Sequence, residues 1–206
     1  MIFAKHVFVY MFPGIMFFWV FFIGQIPMQE ILDERDAHTL QRLLAAPVSL
    51  LQFLLSKMLR CFLLCGLIQM LLLAASAVLG GVWWGNPFLV LAVVLACAFS
   101  VTGLLAVISA LTKTKEQAYS LSSGIAVFCA LLGGSFSSFE SLPGLLKVIG
   151  QCVPNRWAIL AFQTVARSQP AVNVVKPVLF LCALGLVGCL AACLLFRRQL
   201  DAGGKP

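Results

Sequence analysis

Charge is the scarcest property of this chain: 10% of its 206 residues are charged, and seven of them are acidic. Soluble domains carry about a quarter charged residues. With 62% apolar residues and a mean hydropathy of +1.04, a fold of this length has too little interior to hide its apolar surface. The surplus faces lipid. The residues of chemistry are equally thin. No G-x-x-x-x-G-K-[ST] occurs, so the chain does not cradle ATP phosphates by that route. No H-E-x-x-H occurs, and neither His6 nor His38 sits deep in an apolar run. Both facts argue against an intramembrane metalloprotease or a serine–histidine hydrolase. No apolar run holds a clear buried Asp or Glu, which argues against a proton relay at membrane depth.

Two features that are present invite other readings. The net charge of +7 suggests nucleic acid, but the bases are scattered through short connections and form no stripe interleaved with aromatics. That is topology-setting charge. Of the eight cysteines, all but Cys152 lie in apolar stretches, where Cys behaves as a small hydrophobe. Cys61/Cys65 and Cys189/Cys193 each share a helix face, without a His or further Cys to complete a metal site.

Five stretches are predicted to span: about Val7–Met28, Arg60–Leu79 (extended backwards over Leu50–Leu59), Pro87–Leu111, Ala118–Leu132 and Pro177–Phe196. Most approach the roughly 20 residues that a helix needs to cross the hydrocarbon. The first is too long for a cleavable signal and lacks a basic start followed by a small-residue cleavage site. Arg35, Arg42, Lys57 and Arg60 place the first connection in the cytoplasm, as Lys113 and Lys115 place the third and Arg197-Arg198 the tail. Trp83-Trp84 suits an outer interface. Strict alternation then puts the N-terminus outside and the C-terminus inside.

Residues Gly133–Lys176 disturb this alternation, because they carry Lys147, Arg156, Arg167 and Lys176 yet should lie outside. Their apolar runs, Leu142–Ile149 and Trp157–Val165, are too short to span and are broken by Pro143-Gly144 and Pro154-Asn155. They read as a re-entrant or interfacial helical hairpin over about 137–168. The alternative is a sixth span, which would have to bury Lys147 or Arg156. Glu140, the lone acid here, pairs with one of these bases or meets a cationic substrate.

The segment Gln29–Pro47 crowds Glu30, Asp33, Glu34 and Asp36 into its first half and has Arg42 in its second. Acids early and a base late complement a helix dipole. Leu32, Leu40, Leu43 and Leu44 share one side. A short amphipathic helix at the cytoplasmic surface is predicted over about 29–47, on physics alone an ordinary interfacial helix. Gln69, Ser100 and Thr102 either face a substrate path or hydrogen-bond a neighbouring helix. The Phe17, Phe18, Phe21 and Phe22 cluster reads as lipid-facing or dimer-packing surface.

Glu34-Arg35-Asp36, Thr39-Leu40, Arg42-Leu43-Leu44 and Pro47 resemble the ABC-2-type permease signature E-R-E-x-G-T-x-x-R-L-L-x-x-P, with His38 where that family has Gly. Phe139-Glu140-Ser141-Leu142-Pro143-Gly144, Pro154-Asn155 and Trp157-Ala158 resemble the family's outer re-entrant hairpin, and Pro13-Gly14-Ile15 its F-x-P-G-I opening. The resemblance implies a single all-α permease domain over 1–206 in a bacterial inner membrane. It makes Glu34, Arg35, Asp36, Thr39 and Arg42 the coupling helix that docks on a separate ABC ATPase. It makes Phe139, Glu140, Pro143, Pro154, Asn155 and Trp157 the outer hairpin. It further implies a second permease copy, ATP and Mg held by the ATPase and not by this chain, and no nucleic-acid partner. Family permeases have six spans with both termini inside, so the chain is expected to lack the family's first helix. A non-transporting scaffold and an ion-coupled carrier stay open as other readings.

Overall fold

Long apolar runs punctuated by Gly, Pro and Asn become helices in the computed structural model. It describes residues 2–36, 50–136, 139 and 143–203, with side chains described at 11–34, 51–136, 139 and 143–198. The helices are α1 (Ile2–Asp36), α2 (Leu50–Gly80), α3 (Pro87–Leu111), α4 (Lys115–Gly133), α5 (Gly144–Gln151), α6 (Pro154–Ala166) and α7 (Val172–Gly203). No strand occurs among the described residues. Four helices contain stretches long and apolar enough to cross a membrane: Met11–Glu34, Leu51–Gly80, Pro87–Leu111 and Val172–Arg198. The stretch predicted as a further span is α4, whose 19 residues begin with the polar turn Lys115-Glu116-Gln117.

Local signals set the helix ends. The Asn86 side chain accepts from the Phe88 N–H at 2.9 Å, and Pro87 starts α3 where no donor is needed. Thr114 caps α4 in the same way, accepting from the Gln117 N–H at 3.3 Å. At the other end of α4, Gly134 takes φ 88° and the Ser135 N–H reaches back to the Ala130 carbonyl. A left-handed residue there is a common helix stop, and glycine adopts it without a Cβ penalty.

α3 lies at the centre, packed along α7 on one side and against α2 and α1 on the other. The α3–α7 seam brings backbone onto backbone. A Cβ on Gly103 would stand 2.5 Å from the Gly185 carbonyl oxygen, and one on Gly188 would stand 2.6 Å from the Gly103 carbonyl carbon. Small residues permit such close approach in bundles that lack a hydrophobic drive between helices. α1 packs against α2, α3, α4 and α6. Its contact with α2 runs through Gly24, whose carbonyl accepts from the Cys61 thiol at 3.4 Å. All eight cysteines are free thiols.

Two expectations change. Phe17 and Phe21 are buried in the core, and only Phe18 and Phe22 on that cluster are half-exposed. The acidic stretch does not open a new helix at Gln29, because α1 continues unbroken through Asp36. Glu30, Asp33, Glu34 and Asp36 therefore stand at a helix C-terminal end, where the dipole opposes them. Neighbouring helices supply the compensation.

Candidate functional site

At this acidic end of α1, α2 and α4 bring bases alongside. Lys57 reaches Glu30 at 2.9 Å and Glu34 at 2.8 Å, and Arg60 reaches Glu30 at 2.6 Å. On the other flank Lys115 of α4 meets Asp33 at 2.7 Å. The Lys57 side chain is 13% exposed, so its two contacts form in a partly desolvated setting, whereas Lys115 and Asp33 are 46% and 49% exposed. Burial strengthens the first set relative to the second. Beside Lys115, Gln29 of α1 and Glu116, Tyr119 and Ser120 of α4 line an open groove of about 240 Å³. One turn before Gln29, Gln25 is buried and accepts from the Gln29 amide at 3.4 Å, and its own Nε2 has no partner among the described residues.

Of the predicted coupling residues, Glu34 has a described side chain and joins the ion-pair cluster. Arg35 and Asp36 complete the last turn of α1, their side chains outside the described set. Thr39 and Arg42 lie outside the described residues. In the sequence alone Glu30, Lys57, Arg60 and Lys115 are legible only as dipole or topology charges. Their pairing spans up to 82 positions and has no local signature.

The opposite end is built on close packing. A Cβ on Gly14 would stand 2.5 Å from Ser135 Oγ and 2.9 Å from Ile159 Cδ1. One on Gly133 would stand 2.7 Å from Asn155 Cβ and 3.0 Å from the Arg156 nitrogen. Asn155, 1% exposed, donates to the Cys129 carbonyl at 3.2 Å and to Ser135 Oγ. One side chain thus ties α6 to the end of α4, and Gly14 brings α1 onto the same spot. Phe139 lies under the Arg156 guanidinium, 4.0 Å from ring centroid to Cζ. Trp157 donates to the Gln151 carbonyl at 2.7 Å and stacks on Phe180 at 4.7 Å. Pro143 immediately precedes α5 and Pro154 begins α6. Glu140 lies outside the described residues.

The segments Pro13-Gly14, Gly133–Ser135 and Pro154-Asn155 are thus far apart in sequence and adjacent in space. Over residues 3–194 the sequence matches the family described as ABC-2 family transporter protein. The chain belongs to the ABC-2 transporter family. The match takes in α1 to α6 and most of α7, so this ABC-2 chain is an integral membrane protein. It is 28% identical over 130 residues to the linearmycin resistance permease protein LnrN of Bacillus subtilis (strain 168). That stretch covers 63% of the chain, and the chain spans 34% of that relative's length. No solved structure matches it.

The polar residues weighed as path-lining divide. Ser100 donates to the Cys97 carbonyl of its own helix at 3.0 Å, and Thr102 donates to the Ala98 carbonyl at 2.8 Å and to Cys61 Sγ of the neighbouring α2 at 3.5 Å. Gln69 is fully buried in α2, and its amide has no partner among the described residues. No group of three or more metal-ligating side chains occurs among the described residues.

Proposed function

We propose that this chain is the membrane-spanning permease subunit of an ATP-driven exporter, working with a separate ABC ATPase and a second permease copy. The family match across nearly the whole bundle carries this reading. The Bacillus subtilis relative bears the name of a resistance permease, and removal of a compound from the cell is the direct way for a permease to confer resistance, which favours export. α1, α2, α3, α4 and α7 are five spans of a bacterial inner membrane, with the N-terminus outside and the C-terminus in the cytoplasm. α4 tolerates its polar start because Lys115 and Glu116 sit at the cytoplasmic surface. α5 and α6 form the re-entrant hairpin at the outer side, with Phe139, Glu140, Pro143, Pro154, Asn155 and Trp157 shaping the exit.

Glu34, Arg35, Asp36, Thr39 and Arg42 face the ATPase. Glu34 sits in the cluster that joins α1 to α2, and Asp33 beside it is tied to α4. A push delivered just beyond Asp36 therefore reaches three helices together. ATP and Mg are bound by the partner.

The test is a mild-detergent pull-down of the tagged chain with an ATPase assay. Recovery of an ABC ATPase, lost in Arg42→Glu while the chain stays folded in the membrane, supports the permease reading. Recovery without any ATPase, from membranes that express one, overturns it and leaves a scaffold. Transport that persists without ATP and collapses with an ion gradient would indicate an ion-coupled carrier.

A further inference from the structure

α5 presents a face that no described part of the chain covers. Leu145, Val148 and Ile149 are 76%, 64% and 40% exposed, and Cys152, one residue past the helix, is exposed too. Spacing of i, i+3, i+4 and i+7 puts these four in one apolar stripe. The opposite face is occupied: Leu146 packs with Cys129, Leu132 and Val153, and Gly150 lies against Phe139. α5 is thus anchored on one side and presents apolar surface on the other.

The surroundings of the stripe are basic and aromatic. Between Ala118 and Phe196 the chain carries four bases, Lys147, Arg156, Arg167 and Lys176, and one acid, Glu140. Lys147, two residues after Leu145, falls on the occupied side of α5, whereas Lys176 has no carboxylate within ion-pair distance among the described residues. Lys176 stands 5.7 Å from the Trp157 ring, which itself stacks on Phe180. An apolar helical stripe beside cations and interfacial aromatics matches the chemistry of an anionic bilayer surface. A second copy of this chain would bring the same surplus of positive charge to the contact and be repelled.

We infer that α5, with Lys176, is a docking surface for anionic phospholipid in the leaflet at the hairpin end. The stripe seats at the boundary between headgroups and acyl chains, and Lys176 meets a headgroup phosphate. The inference rests on the membrane-spanning reading of the long helices and does not depend on the coupling segment.

Cys152 makes the surface measurable. The full chain, with the half-buried Cys182, Cys189 and Cys193 replaced by alanine, is labelled at Cys152 with a fluorophore and placed in lipid nanodiscs. Quenching by brominated phosphatidylglycerol is compared with quenching by brominated phosphatidylcholine at equal mole fraction. The expected result is roughly twofold or stronger quenching by the anionic lipid. Lys176→Glu substitution should bring the two lipids to parity with helix content unchanged, whereas Lys147→Glu, on the other side of α5, should leave their ratio alone. Val148→Gln should weaken quenching by both lipids and leave their ratio alone. Equal quenching in the chain with native lysines would overturn the anionic preference. Absence of quenching by either lipid would show the stripe covered by protein and overturn the inference as well. Failure of the chain to float with lipid would overturn the spanning reading itself, a result distinct from either.

Discussion

At the charged end, Glu30, Asp33 and Glu34 of α1 are held by Lys57, Arg60 and Lys115 through contacts of 2.6 to 2.9 Å. At the end where α4 and α6 meet, the same helix is held by Gly14, pressed on Ser135 and Ile159 with no room for a Cβ. The two fastenings respond differently to displacement. Long charged side chains can follow a partner that shifts by an ångström and re-form their contacts, and salt weakens them where they meet water. Close backbone packing cannot follow, because a shift either opens a void or creates a clash. The charged end is adapted to give, and the Gly14 end to hold.

This comparison can be tested by substitution, measuring unfolding of the purified chain in micelles against denaturant. The largest effect is expected for Gly133→Ala, whose new methyl meets Asn155 and the Arg156 backbone, at about 2–3 kcal/mol of destabilisation. Asn155→Leu should follow at about 2 kcal/mol, since it removes two hydrogen bonds at a buried site. Neither loss should change with ionic strength. A clear salt dependence in either variant would break the contrast.

Lys57→Met leaves Glu34 without its lysine and Glu30 with Arg60 alone, at an expected cost of about 1–2 kcal/mol for this partly buried cluster. Raising salt should shrink that difference. Asp33→Asn breaks the exposed contact to Lys115 and should cost about 0.5 kcal/mol or less, vanishing at high salt. If Asp33→Asn proved as costly as Gly133→Ala, the charged end would be a rigid fastening and the contrast would fail.

Much of the bundle was legible in the sequence, because crossing a membrane demands a long apolar run and a pause between runs. α3 has the predicted bounds, and α5 and α6 begin where Pro143-Gly144 and Pro154 interrupt the chain. The misreading at Gln29 has a physical cause. Clustered acids are a sound sign of a helix start when only local charge is counted, but here the balancing bases come from α2 and α4. The α3–α7 seam was equally invisible, since Gly103 matters only because Gly185 and Gly188 lie opposite it. For the site, Asn155 and Trp157 were marked by resemblance and the structure supplies their contacts, while Gly133 and Ser135 were not marked as Asn155's partners. Thr39, Arg42 and Glu140 lie outside the described residues.

The unbroken course of α1 has a mechanical consequence. From Gly14 to Glu34 the helix advances about 30 Å at 1.5 Å per residue, so a single strut joins the fastening that gives to the one that holds. Pro27, inside this stretch, removes the hydrogen bond to the Ile23 carbonyl and is the point where a helix bends most readily. Force applied below Pro27 can be absorbed as flexure there. Force that is not absorbed travels along the axis to Gly14, where there is no slack to take it up.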